Sequence, residues 1–168
     1  MSWNACQRWD DTTTRWNTWL HERCSHGDQT VQRWVQRTYP WNVHQLPTPL
    51  KKALWTIQDG HCYWCQRSVR FSEATLEHVI PFVSPVWDRM RPLEQLLSFR
   101  ISHAACNQTY KTWRLADPRH ATALDLWRLR HIRHLLRQDP FWACWIPDAI
   151  PLTPHSPSSP LKSLHLSL

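Results

Sequence analysis

Two half-sites of metal-ligand type dominate the chemistry open to this chain. Cys62-Tyr-Trp-Cys65 and His103-Ala-Ala-Cys106 each leave two residues between their reactive side chains. That gap lets both side chains of a half-site turn toward one ion, and three thiolates with one imidazole are a common closed set for structural Zn²⁺. Between the half-sites lies Glu77-His78-Val79-Ile80-Pro81, and Asn107 follows the last cysteine directly. A carboxylate, an imidazole and an amide around a metal-tied loop suit phosphodiester hydrolysis. Neutral His78 can take a proton from an attacking water, because imidazole titrates at about 6.5. A divalent ion such as Mg²⁺ or Mn²⁺ on oxygen ligands can stabilise charge on the scissile phosphate and the departing oxygen.

Plainer readings stand beside these. Cys62 and Cys65 alone would pass for a redox pair, and the downstream His103 and Cys106 favour ligation instead. His103 alone reads as a surface histidine, Glu77 as a surface charge, and His78 as a buried, hydrogen-bonded ring. Asn107 is also the residue type that caps a helix. Cys6, Cys24 and Cys144 stand apart and read as small buried hydrophobes. His21, Cys24 and His26 have ligand spacing but no matching pair elsewhere.

Positioning falls to mostly helical elements. Residues 1–46 read as a Trp-rich helical extension. A first helix is capped by Asp10, Asp11 and Thr12 and runs to about Arg23, with Trp16, Trp19 and Leu20 on one face. Gly27-Asp28 breaks it, Thr30 caps a second helix carrying Val31, Trp34 and Val35, and Pro40 ends that one. Thr48-Pro49 opens a helix with Leu50, Ala53, Leu54 and Ile57 at helical spacing, and Asp59-Gly60 stops it before Cys62. Residues 68–71 and 75–80 read as two short strands, 82–91 as a proline-punctuated loop and 93–99 as helical. A further helix starts near Asn107. Strand, strand and helix around a metal make a ββα unit within 47–115. Segment 116–145 holds the clearest amphipathic helix, over 118–138, with Leu126, Leu129, Ile132 and Leu136 as its apolar stripe. Residues 146–168 are rich in Pro and Ser and read as an extended or disordered tail. The fold class expected is α+β, mostly helical, with helical flanks on both sides of the ββα core.

At Cys62, Cys65, Glu77-His78-Val79-Ile80-Pro81, His103, Cys106, Asn107 and Lys111 the chain resembles the HNH endonuclease family of the zinc-containing ββα-metal type. The resemblance covers about residues 50–115. It implies a structural zinc on the four ligands, a catalytic centre of His78, Glu77 and Asn107, and a second, catalytic ion (Mg²⁺ or Mn²⁺) on Glu77 and Asn107. Two positions depart from the family pattern. Glu77 stands where Asp is more frequent, and Ser98 stands where a middle Asn is usual, leaving the orientation of His78 to a backbone group. The implied activity is nicking or cutting of DNA, with RNA as another polyanion of the same class. Relatives of this kind occur in restriction, phage and anti-phage defence systems. A zinc-stapled nucleic-acid-binding module without catalysis is the alternative.

Charge agrees with a polyanionic partner. Lys and Arg number 20 against 13 Asp and Glu, a formal +7, which favours nucleic acid. Phosphate contacts are expected from Lys111, Arg114, Arg100, Arg128 and Arg133, and such contacts give affinity without sequence selection. The bland reading of the Arg-rich helix is a solvated face. Thirteen Trp and only two Gly are unusual. Trp fills cores and interfaces alike, so the Trp-rich flanks serve the core, a protein partner, or both. No apolar run approaches the roughly 18 residues needed to span a bilayer. The N-terminus lacks a signal-like pattern, so a cytoplasmic, non-membrane protein is expected.

Overall fold

The computed structural model describes residues 3–36 and 46–145. The expected helix stop at Pro40 and the tail 146–168 lie outside them, as do the side chains of Cys6 and Cys144.

Helix α1, Trp3–Ser25, begins well before the expected cap at Asp10 to Thr12. No Pro or Gly interrupts the preceding residues, and Trp9 extends the buried stripe of Trp16 and Leu20 by two turns. The capping-type residues therefore lie inside the helix, where the Thr13 hydroxyl donates to the Trp9 carbonyl. Gly27, at φ 80, breaks the chain. Asp28, not Thr30, then caps α2 (Gln29–Gln36), its Oδ1 accepting from the amides of Thr30 and Val31 at 3.1 and 3.2 Å.

Helix α3, Thr48–Ile57, starts without a side-chain cap, so Pro49 in the first turn is the local signal that holds. It ends on Asp59 at φ 54 and Gly60 at φ 67. A Cβ on Gly60 would sit 3.0 Å from the Trp55 ring, so backbone angle and close packing both require glycine there.

The sheet has two antiparallel strands, β1 (Thr75–His78) and β2 (Phe99–Ser102), in register Thr75↔Ser102 through His78↔Phe99. The expected strand at 68–71 reduces to a single bridge between His61 and Ser68, and the partner of β1 comes from beyond helix α4 (Pro92–Leu97). Strand β2 escapes a sequence reading because Arg100 and Ser102 look solvent-facing, yet all four of its residues are buried. Helices α5 (Ala104–Ala116), α6 (Pro118–Gln138) and α7 (Pro140–Trp145) complete the described chain. Along the chain, β1 and β2 are separated by α4, and α5 follows β2, within a mostly helical α+β molecule.

One hydrophobic cluster joins these elements, running from Trp9 and Trp16 through Leu50, Leu54, Ile80, Leu96 and Phe99 to Ile132 and Trp142. No Trp side chain is exposed among those described. Indole N–H groups tie distant parts together: Trp16 donates to Leu96 O at 2.9 Å, and Trp142 to Asn17 Oδ1 at 2.9 Å. Packing and these anchors employ the described tryptophans within the protein. Leu129, Ile132 and Leu136 of α6 face this core as expected, while Leu126 is only partly buried. No described helix is long and apolar enough to cross a membrane.

Candidate metal centre and adjoining cleft

Cys62 and Cys65 sit on a tight turn after α3. The Cys62 amide donates to Arg67 O at 2.9 Å, the Gln66 amide to Cys62 O at 3.0 Å, and Gln66 takes φ 61 to close the turn. The Tyr63 amide donates to Ile101 O at 2.9 Å, docking the turn on β2. His103 follows β2 and opens α5, with Cys106 in its first turn. Two segments distant in sequence thus meet because one of them is a strand end and the other is pinned to that strand.

The ligand atoms of Cys62, Cys65, His103 and Cys106 all lie within 4.8 Å of one another. His103 Nδ1 is 3.3 Å from Cys65 Sγ and 3.9 Å from Cys106 Sγ. Atoms on a tetrahedral zinc, with bonds of about 2.0–2.3 Å, stand roughly 3.5–3.8 Å apart. The far ring nitrogen, Nε2, lies 3.1 Å from Ser68 O. A carbonyl there fixes the tautomer that leaves Nδ1 lone-paired toward the thiols, the arrangement usual behind a ligating histidine. The thiols also need a cation. Burial, and then competition with Cys65 and Cys62, pushes Cys106 up to about 12. Cys65 feels burial too, but the Arg67 amide and its neighbouring thiols and imidazole bring it down to about 7. Full deprotonation of three crowded sulfurs requires a counter-charge, and the four groups could hold a metal ion such as zinc. This is the only such cluster among the described residues. The spacing of His21, Cys24 and His26 leads elsewhere: His21 Nδ1 lies 2.8 Å from Asp139, and Cys24 is buried.

Beside this cluster opens a cleft of about 620 Å³ whose lining includes Glu77, His78, Asn107, Lys111 and Arg114. Strand alternation should turn Glu77 and His78 to opposite faces, but β1 ends at His78 and both reach the cleft. Glu77 is 2% exposed, and its Oε2 accepts from Trp64 Nε1 at 3.0 Å. Burial raises its carboxyl to about 7, against the opposing pull of Trp64 and the positive charges of Lys111, Arg128 and Arg114. Trp64 lies inside the Cys62-to-Cys65 loop, so the metal-cluster turn itself grips the cleft carboxylate. Sequence reasoning treated Trp64 as a spacer. Its indole N–H was the available signal.

Asn107 is not a cap but sits one turn into α5. Its Nδ2 donates to Leu76 O at 3.3 Å, while its Oδ1 is buried with no hydrogen-bond partner. A buried acceptor left unmatched costs about 1–3 kcal/mol unless something fills it. His78 is half-buried, its ring 4.7 Å from Phe99 and 6.2 Å from Phe82. The Ser98 hydroxyl donates to Gln95 O at 2.7 Å, so it is committed within its own turn.

The basic residues divide sharply, and three of the expected phosphate contacts need correction. Arg100 is fully buried: it donates to Leu97 O at 2.8 Å, to Phe99 O and to the Thr13 hydroxyl, with its guanidinium 4.3 Å from the Trp9 ring. Arg128 is 2% exposed and donates to Val79 O at 3.0 Å and to Tyr110 Oη at 2.7 Å. Arg133 is held by Glu94 at 2.8 Å and by Arg89 O at 2.8 Å. All three are engaged by their own protein: Arg100 on β2 and Arg128 on α6 are buried, and Arg133 on α6 is half-buried against Glu94. Arg114 lines the cleft but forms a paired hydrogen-bonded bridge to buried Asp125 at 2.8 and 2.6 Å. Ser84 Oγ donates to the same carboxylate at 2.7 Å. Lys111 is exposed in the cleft and has no ion pair among the described residues.

Compared with known proteins, the chain matches no family model, no curated protein and no solved structure.

Proposed function

We propose that this chain is a metal-dependent endonuclease that hydrolyses DNA phosphodiester bonds, with its chemistry in the cleft and a structural zinc on Cys62, Cys65, His103 and Cys106. The observation that carries the reading is the convergence on one cleft of His78, buried Glu77 and the unmatched Asn107 Oδ1. The two oxygen donors fit a hard divalent ion such as Mg²⁺ or Mn²⁺. A cation there would answer the orphaned Asn107 Oδ1 and stabilise the Glu77 anion that burial disfavours. When bound, such an ion stabilises negative charge on the scissile phosphate and the leaving oxygen.

The residues of the chain supply the rest. Neutral His78 takes the proton of the attacking water. Trp64 holds the Glu77 carboxylate in place from the zinc turn. Asn107 is fixed through its amide nitrogen on Leu76 O, which aims its oxygen. Lys111 attracts the phosphate, and Arg114, already paired with Asp125, shapes the wall beneath it. A single centre cuts one strand per visit.

A second reading, a zinc-stapled nucleic-acid-binding module without catalysis, draws on two observations. Glu77 at about 7 is only partly ionised near neutrality without a cation, and the Ser98 hydroxyl is engaged in its own turn. Supercoiled plasmid with Mg²⁺ or Mn²⁺ separates the two readings. Wild type relaxes the plasmid and His78→Ala does not; equal behaviour of both proteins removes the enzyme reading. The same assay on labelled RNA decides the polymer.

A further inference from the structure

We propose, building on the nuclease reading, that the cleft takes single-stranded or locally unpaired DNA, with phosphate on its polar side chains and bases on its exposed apolar ones. Besides Glu77, His78 and Lys111, the cleft is lined by Pro81, Phe82, Val83, Pro85 and Leu115. Three of these are the large hydrophobic side chains left exposed: Phe82 at 46%, Val83 at 76% and Leu115 at 84%. All three border one cleft, and no other large hydrophobic stands exposed among the described residues.

An intact duplex shows a protein its charged sugar–phosphate edges, with the base faces stacked inside. Against such a surface this apolar rim would meet phosphate, and its polar neighbours alone would be satisfied. A strand with unstacked bases carries both characters along its length. Lys111 matches the phosphate, and the Phe82 ring with Val83 and Leu115 matches base faces, which is the combination of cationic track and apolar platform used for single strands. The position of the rim matters too. The Phe82 ring lies 6.2 Å from the His78 ring, so a base resting on it would hold its own phosphate beside the proposed general base. The cleft, at about 620 Å³, has the size of a small-ligand pocket of roughly 300–1,000 Å³. It has room for a short stretch of one strand.

Fluorescence anisotropy tests this with a labelled DNA oligonucleotide, its duplex and the RNA of the same sequence, in Ca²⁺ in place of Mg²⁺ or Mn²⁺. The single DNA strand is expected to bind at least about tenfold more tightly than the duplex. Phe82→Ala is expected to weaken single-strand binding about five- to 150-fold, following the usual value of one stacked base, and to leave duplex binding unchanged. Leu115→Asp, on a side chain too exposed to affect folding, should act in the same direction. Equal affinity for strand and duplex, equal loss for both in Phe82→Ala, or tighter binding of RNA overturns the inference. Because binding is read without turnover, single-strand preference in a protein that never nicks plasmid removes only the nuclease reading. Plasmid nicking with no single-strand preference removes only this one.

Discussion

The sulfur cluster and the cleft are neighbours built on opposite principles. In the cluster, three thiols and an imidazole converge within 4.8 Å and are backed by Ser68 O and the Arg67 amide. In the cleft, hard oxygens and an imidazole line an open space, one acceptor is unmatched, and a carboxylate is buried against its preference. A single side chain joins the closed cluster to the open cleft. Trp64 belongs to the first region by sequence and to the second by its hydrogen bond.

Four experiments break or sharpen that separation. The largest effect is expected from Cys62→Ser. Structural zinc in small sites contributes about 10–16 kcal/mol, so this variant should lose the roughly one zinc per chain found in wild type by elemental analysis, together with its cooperative thermal transition. A folded wild type free of metal would end the structural-zinc assignment. His78→Ala should lower nicking about 10²–10⁴-fold while zinc content and melting temperature stay as in wild type. A matching fall in melting temperature would place His78 with the scaffold.

Asp125→Ala tests the floor of the cleft. It strands Arg114 and Arg128 without their carboxylate, and breaking such a buried pair costs about 3–5 kcal/mol, read as a lower urea midpoint with zinc retained. Trp64→Phe should have the smallest and most informative effect, about 1–3 kcal/mol, and its size should depend on pH. Burial raises Glu77 in the folded state to about 7, above its value of about 4.3 in an unfolded chain. The folded protein therefore binds the extra proton. Without added divalent ion, stability falls as pH climbs from about 4.3 to 7 and stays low above that. Trp64 favours the anion, so removing it should destabilise more at pH 8 than at pH 5. A pH-independent loss would mean that the indole serves packing alone.

Much of the cluster was legible in the sequence because metal ligation imposes local spacing: Cys62 with Cys65 and His103 with Cys106 each carry their geometry within four residues. Helices α3 and α6 were legible for a similar reason, since Pro49, Gly60 and the Leu stripe act through neighbours a turn away. Strand β2 was not. Its alternation of Phe99, Arg100, Ile101 and Ser102 has the pattern of a half-exposed strand, and the polar side chains are covered by distant residues: Arg100 by Trp9, Thr13 and Tyr63, and Ser102 by Thr75. Arg100 shows the limit most plainly, because its partner Thr13 lies 87 residues away. The charge count that suggested phosphate contacts could not register that.

The sequence by itself determined the ligand set, the helical framework and the placement of an imidazole beside a carboxylate, because each depends on residues within a few positions of one another. Tertiary structure alone decided which arginines face solvent, that Asn107 Oδ1 is left unmatched, that Trp64 grips Glu77, and that Phe82, Val83 and Leu115 share one cleft. Those outcomes depend on burial and on partners brought in from distant segments. A side chain's chemistry is fixed by its type, but its role is fixed by which polar groups are near enough to satisfy it.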